Sequence, residues 1–186
     1  MALPEFNENG LLPKGVHPAT PDDLKERCVT PFPTSVRRPV VFAGFTRYRT
    51  EIAELGVHSS QLVDGSFIDK TRLDPDDVDT ANFCNSENLN SLQPNIQSRI
   101  APLLAGAEDT KKEFLTHTFL VVRFPLGHPL ESRFEAMRRY WLEFYSQSQD
   151  YRDGKKVPAP WRGQKGLVSM SVGDPNLCPP VNDFDQ

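Results

Sequence analysis

The sequence predicts an α/β (α+β) fold, in which a small mixed sheet carries packed helices and follows an extended N-terminal segment. In two long stretches apolar residues recur at helical spacing, and short β-branched or aromatic runs alternate with them. The first 35 residues are instead rich in Pro, Gly, Asn and Thr. We therefore divide the chain into an extended N-terminal segment (1–35), a folded domain (36–172) and an irregular C-terminal tail (173–186).

Composition narrows the class of protein. The 186 residues carry a net charge of -4, which argues against a broad nucleic-acid-binding surface and leaves a local basic patch open. The three cysteines are far apart and include no Cys-x-x-Cys, as expected of structural thiols in a reducing compartment. We see neither a secretory signal nor an apolar run of membrane-spanning length, and so expect a soluble, cytoplasmic protein with no membrane partner.

The first half of the chain predicts two helices and a strand. Thr20 followed by Pro21 is typical of a helix start, so we expect a short helix at 21–27. A longer helix over 36–55 follows from apolar residues at steps of four and three, namely Val41, Phe45, Tyr48, Ile52 and Leu55. Gly56 suits its end, and a strand at 58–63 comes next.

The second half predicts three strands and two helices. We expect strands at 77–83, 116–124 (THTFLVVRF) and 167–172, loops at 85–93 and 150–162, and a helix near 96–104. A helix over 131–148 places an aromatic stripe on one face, which we interpret as core: Phe134, Met137, Trp141, Phe144, Tyr145 and Ser148. Strands 58–63, 77–83 and 116–124 should be neighbours in one sheet, with helices 36–55 and 131–148 packed on it.

The densest concentration of charge is LVDGSFIDKTRLDPDDVDTANF, at 62–83. In its Asp77-Val78-Asp79 segment, strand alternation places both carboxylates on one face and Val78 in the core. Two neighbouring carboxylates repel unless a cation lies between them, and a hard divalent ion such as Mg2+ (or Mn2+) takes such oxygen ligands. We therefore predict Asp77 and Asp79 as metal ligands and catalytic residues.

A phosphate-binding turn is predicted just upstream, at Gly65-Ser66. Glycine lets the backbone approach a ligand closely, and the exposed N–H groups of such a turn favour phosphate. Lys70 either neutralises nucleotide phosphates or balances nearby aspartates, and Lys165 is a candidate for a phosphate or acceptor contact. Together with the carboxylates, these residues indicate phosphoryl or nucleotidyl transfer from a bound NTP.

This pattern resembles the signature of the polymerase-beta-type nucleotidyltransferase superfamily, in which a Gly-Ser turn precedes Asp-hydrophobic-Asp on the next strand. The chain is also similar to an uncharacterised bacterial family of that fold, known only as a domain of unknown function. That similarity rests on FNENGLLPKGVHPAT (6–20), DGSFIDK (64–70), the aromatic helix and Lys165-Gly166-Leu167-Val168. It implies that 36–172 form a nucleotidyltransferase-like domain with a mixed sheet of that type.

One departure concerns a third carboxylate, which the superfamily usually carries on a later strand. The expected strand, 116–124, has no Asp or Glu, and His117 or Thr118 stands near the place where the acid would be. Asp109 and Glu113 precede that strand. His117 is either a base or a structural residue.

The resemblance implies a metal-dependent enzyme that moves a nucleotidyl group from an NTP to a hydroxyl on RNA, protein or a small molecule. The alternative is a degenerate protein of the same fold that binds a nucleotide or a partner protein without catalysis. Membership in a toxin–antitoxin or phage-defence pair is a further alternative, from fold analogy alone.

Overall fold

The computed structural model describes residues 2–152 and 155–181, and places a five-stranded mixed sheet at the centre of the molecule. Its strands are β1 (Val16–Pro18), β2 (Ser59–Asp64), β3 (Val78–Asn85), β4 (Thr116–Arg123) and β7 (Leu167–Val172), while β5 (Gln149–Arg152) and β6 (Lys155–Pro158) form a separate hairpin. The helices are α1 (Pro21–Cys28), α2 (Arg37–Glu54), α3 (Ser86–Ser91), α4 (Pro94–Ala105), α5 (Ala107–Phe114) and α6 (Glu131–Ser146). The predicted α+β class is confirmed.

The strand order is β1-β7-β2-β3-β4. Strand β2 is antiparallel to β3 and β7, whereas β3 is parallel to β4 and β1 is parallel to β7. The three strands predicted to be neighbours, β2, β3 and β4, are therefore adjacent. The N-terminal segment supplies the edge strand β1, and its Leu3, Leu11 and Leu12 are buried.

Helix α2 forms as its apolar spacing predicts. Val41, Phe45, Tyr48 and Ile52 are buried along one side of it, and the chain leaves the helix at Gly56, whose φ is +83°. Helices α2, α4 and α5 cover one face of the sheet, where they share the larger apolar cluster with the inner side chains of β3 and β7.

Helix α6 covers the opposite face. Phe134, Trp141 and Tyr145 are buried there against β3, β4 and β7. The prediction that the whole aromatic stripe is core is wrong for Met137 and Phe144, which are 40% and 41% exposed. Met137 is partly open to solvent between the buried Phe134 and Trp141, and Phe144 borders a cleft.

Two predicted loops contain regular structure. Residues 85–93 hold α3, which is anchored because the Asn88 side chain accepts from the His58 N–H and donates to the Gly56 carbonyl. Residues 150–162 contain most of the β5–β6 hairpin, and the Asp153-Gly154 dipeptide between its two strands in the sequence is a hairpin signal that the loop prediction overlooked. Residues 153–154 of that predicted loop and 182–186 of the predicted tail lie outside the described residues.

The guanidinium of Arg38, in the first turn of α2, is fully buried. It donates hydrogen bonds of 2.6–3.1 Å to five backbone carbonyls, those of Cys28, Phe67, Asp69, Arg72 and Leu73. It also lies 3.8 Å from the ring centre of Phe32, and its burial lowers the pKa of the guanidinium. One side chain thus determines the path of the loop 67–73, directly after the Gly65-Ser66 turn.

Within the described ranges, the structure has no helix long and apolar enough to cross a membrane.

Candidate functional site

Three polar side chains lie in one row across β2, β3 and β4, at the end of the sheet where β2 stops and β3 and β4 begin. Asp64 at the end of β2 is paired in register with Asp79 on β3, and Asp79 is paired with His117 on β4. Paired residues on neighbouring strands point to the same face, so all three face the side that α6 covers. Val78 is fully buried on the opposite face, as strand alternation predicts.

Gly65 brings the predicted phosphate turn into contact with the predicted metal ligand. Its φ is +93° and its ψ is -170°, a conformation that essentially only glycine adopts. A Cβ atom at this position would lie 2.4 Å from Oδ2 of Asp79, far inside contact distance. Glycine is therefore required both for the turn and for the carboxylate beside it, and Ser66 continues directly into a 3-10 turn, Ser66–Ile68.

We expect Gly65→Ala to impair the site beyond its effect on stability. The backbone strain should cost about 1–3 kcal/mol of unfolding free energy, and the new methyl group should push the Asp79 carboxylate away. Gly127→Ala is the matched control, because Gly127 has a φ of +82° and open space around it. Denaturant melts should show comparable losses for both variants, and calorimetric Mn2+ titration should show weakened binding for Gly65→Ala alone. Equal metal affinity in the two variants would contradict this role.

Each aspartate around the site has a basic partner from a different element. The four pairs are Asp64–Lys165 at 2.5 Å, Asp69–Arg162 at 2.8 Å, Asp77–Lys111 at 2.7 Å and Asp79–His117 at 3.1 Å. The acidic cluster therefore holds together without a divalent cation: Lys165, Arg162 and Lys111 compensate three of the carboxylates, and the fourth lies within hydrogen-bond distance of His117. Asp74, farther along the loop, instead accepts hydrogen bonds from the Ser35 hydroxyl and the Arg37 N–H at the start of α2.

The donor set nevertheless suits a metal ion. Asp77, Asp79 and His117 each offer one ligand atom, and these atoms lie within 4.8 Å of one another. Two carboxylates and an imidazole are common ligands of divalent ions in proteins. Lys111, which holds Asp77, has a side chain that is 43% exposed and is free to move into solvent.

A cleft of about 170 Å³ opens beside this row. Its lining includes the turn residues Gly65 and Ser66, Asp79 and Lys165. Asp77 and Lys70 are not among the lining residues in the described part of the chain, and Lys70 is exposed. The structure thus gathers four of the six predicted site residues at one cleft. Asp77 does not line the cleft, but its carboxylate lies within 4.8 Å of ligand atoms of Asp79 and His117, which do.

Two further groups in the cleft are perturbed by burial. Burial raises the pKa of the Asp64 carboxyl, an effect that Lys165 opposes and that Asp79 increases. Tyr145 is 2% exposed, and its hydroxyl has no hydrogen-bond partner within the described residues. An unpaired buried hydroxyl is costly, and at the lining of a cleft it points to a ligand.

The sequence interpretation missed Asp64 and Tyr145 as site residues. Asp64 directly precedes the Gly-Ser turn, and its alternation with Leu62 on β2 could have placed it on the same face as Asp79 once the pairing was known. Tyr145 was assigned to the core, where its ring does lie, and only the position of its hydroxyl distinguishes it. The position suggested for a third carboxylate is occupied by His117, directly opposite Asp79.

Comparison with known proteins identifies a family for this chain. No curated protein and no solved structure matches the chain. A family model matches residues 4–171, almost the whole of the sheet and its helices, and the chain therefore belongs to the family described as "Family of unknown function (DUF6932)".

Proposed function

We propose that this protein is a metal-dependent nucleotidyltransferase that moves a nucleotidyl group from an NTP to a hydroxyl. The observation that carries this proposal is the close approach of Gly65 to the Asp79 carboxylate, since it joins the turn predicted to bind phosphate to the strand predicted to bind the metal. Either element alone occurs by chance in many proteins. Their apposition in one cleft, beside a buried lysine, is what the chemistry requires.

The triphosphate would lie against the turn. The Gly65-Ser66 backbone and the Ser66 hydroxyl supply hydrogen-bond donors, and the Lys165 ammonium supplies positive charge. The enclosed volume is smaller than a typical pocket for a whole ligand, so the cleft holds the phosphates and the base lies toward its rim. Half-exposed Phe144 borders the cleft and offers an apolar surface there.

In the transfer step the acceptor oxygen attacks the α-phosphorus, a new O–P bond forms and the bond to the leaving pyrophosphate breaks. A divalent ion at Asp77, Asp79 and His117 would supply positive charge for the phosphate oxygens. The hydroxyl proton passes to a carboxylate of the cleft, and Asp64 is the candidate because it lines the cleft and burial raises its pKa. Lys165, paired with Asp64, stabilises the charge that develops on the leaving group.

A second candidate is a degenerate protein that binds the nucleotide without turnover. Two observations favour it: β4 carries His117 where a third carboxylate is expected, and each aspartate of the site already has a basic partner. A site compensated in this way is stable without metal, as a binding module would need to be.

The test is a titration of each of the four NTPs, with Mg2+ or Mn2+, followed by a pyrophosphate-release assay with RNA, protein and small-molecule hydroxyl acceptors. We expect nucleotide binding that needs the metal, and pyrophosphate release with at least one acceptor. Binding without any release would favour the degenerate protein. Nucleotide binding that does not need the metal would overturn the transferase and leave the degenerate protein, and no nucleotide binding at all would overturn both candidates.

Tyr145→Phe should separate ligand binding from stability. The hydroxyl is buried and has no partner in the described structure, so its removal should leave the free energy of unfolding unchanged or raise it by about 1–3 kcal/mol, while NTP affinity should fall about tenfold because the ligand loses a hydrogen-bond donor. Tyr140→Phe, at an exposed position of the same helix, is the control and should change neither quantity. Calorimetry and denaturant melts measure both, and unchanged NTP affinity in Tyr145→Phe would remove this residue from the site.

A further inference from the structure

The imidazole of His117 is held in a fixed orientation toward Asp79. Its Nδ1 lies 3.1 Å from Oδ1 of Asp79, and its ring packs at 4.6 Å between centroids against Phe119 on the same strand. Phe119 in turn packs against Trp141 of α6. The packing of these three rings therefore limits how far the imidazole can turn away from Asp79.

This geometry suits a shared metal ion. Two ligands at right angles on one ion, each at about 2.1 Å, are separated by roughly 3 Å, which is close to the observed Nδ1–Oδ1 distance. Asp77 completes the set, since the ligand atoms of all three residues lie within 4.8 Å of one another. A small movement of Asp77 away from Lys111 would close the set around an ion.

The chemistry of the donor set discriminates between ions. Mg2+ is bound through oxygen atoms and seldom through nitrogen, whereas Mn2+, Fe2+ and Zn2+ accept an imidazole beside carboxylates. In this row a nitrogen donor stands at the position on β4 opposite Asp79. One of the three protein ligands is therefore poorly suited to Mg2+.

An independent observation also points to a ligand in this place. The buried Tyr145 hydroxyl lines the same cleft and has no partner within the described residues. A coordinated ion brings water or phosphate oxygens into the cleft, and those oxygens would accept the hydrogen bond that the tyrosine lacks.

We infer that the site selects a divalent transition-metal ion of the Mn2+ class over Mg2+, and that His117 is the residue that makes the selection. The inference rests on the metal site of the proposed function and concerns which ion that site holds. It does not depend on whether nucleotidyl transfer takes place.

The experiment is a Mn2+ titration of the full chain followed by electron paramagnetic resonance, with Mg2+ as competitor and pulsed detection of nitrogen coupled to the manganese. We expect nitrogen coupling in the wild-type protein. His117→Asp should abolish the coupling and lower the ratio of Mn2+ to Mg2+ affinity about tenfold, because it restores an all-oxygen ligand set. His128→Asp makes the same change in charge at an exposed position outside the cleft and should preserve both properties.

His117→Asn is the second variant, since it removes the nitrogen ligand without adding charge, and a thermal melt shows which of the two variants folds. Absence of Mn2+ binding, absence of nitrogen coupling in the wild type, or an unchanged affinity ratio in a folded variant would overturn the inference. Nitrogen-coupled Mn2+ without pyrophosphate release would support the inference and count against the transferase. Pyrophosphate release without nitrogen coupling would overturn the inference and support the transferase.

Discussion

Arg38→Met should destabilise the protein by about 3–5 kcal/mol, more than any substitution on the surface, because it leaves buried carbonyls without donors. In the structure the Arg38 guanidinium donates to five backbone carbonyls, and methionine approximates its length without donating to any of them. Urea denaturation followed by tryptophan fluorescence measures the loss.

Arg139→Met is the control, since Arg139 is an exposed arginine on α6 and the change in net charge is the same. It should alter the free energy of unfolding by less than about 0.5 kcal/mol. A loss for Arg38→Met no larger than that of Arg139→Met would mean that the loop 67–73 keeps its shape without the guanidinium. Arg38→Lys should recover only part of the stability, because one ammonium has fewer donors than the planar guanidinium.

Asp79→Asn should weaken metal-dependent NTP binding by about 100-fold or more, since even substitutions one shell removed from a metal cost 10–100-fold. Asp79 is the middle residue of the row Asp64–Asp79–His117, because strand pairing places it between the other two. Gly65 also lies close to its Oδ2 atom. The amide retains the shape of the side chain, so the free energy of unfolding should change by less than about 1 kcal/mol. Calorimetry with Mn2+ and NTP, alongside a thermal melt, measures the two effects.

Asp76→Asn removes the same charge three residues earlier, at an exposed position of the loop, and should leave binding intact. Full binding in Asp79→Asn would show that the row is a compensated cluster of charges. A large loss of stability without metal would show that Asp79 serves mainly to hold the sheet together through His117.

The spacing of apolar residues in the sequence predicted the main helices and strands. The α2 stripe has a single buried face, whose burial determines where the helix packs, and the β-branched run of β4 predicts a strand, which has helices on both of its faces. The burial of Arg38 was not predicted, although Arg38 lies three residues before Val41 on the same face of α2. A charged residue at such a position is ordinarily taken to mark the end of the apolar stripe. The role of Arg38 depends on carbonyls 29–35 residues away along the chain, and on Cys28.

The site could be predicted only where its residues are close in sequence. Gly65, Ser66, Asp77 and Asp79 lie on two consecutive strand ends and form a local pattern. The register that aligns Asp64 with Asp79 depends on how β2 and β3 pair, and His117 joins them from a strand much later in the chain; no local pattern specifies either pairing. The four ion pairs were not predicted for the same reason, since each joins residues from different elements.

The way in which Arg38 holds the loop 67–73 has a consequence for how that loop tolerates substitution. Four of its five acceptors are carbonyls of that loop, a group that every amino acid supplies, so these four hydrogen bonds do not depend on which side chains the loop carries. Lys70 and Leu73 point outward and are exposed. Substitutions at these two positions should therefore leave the hydrogen bonds of Arg38 in place, so the surface of the loop can change its chemistry while these four carbonyls stay anchored.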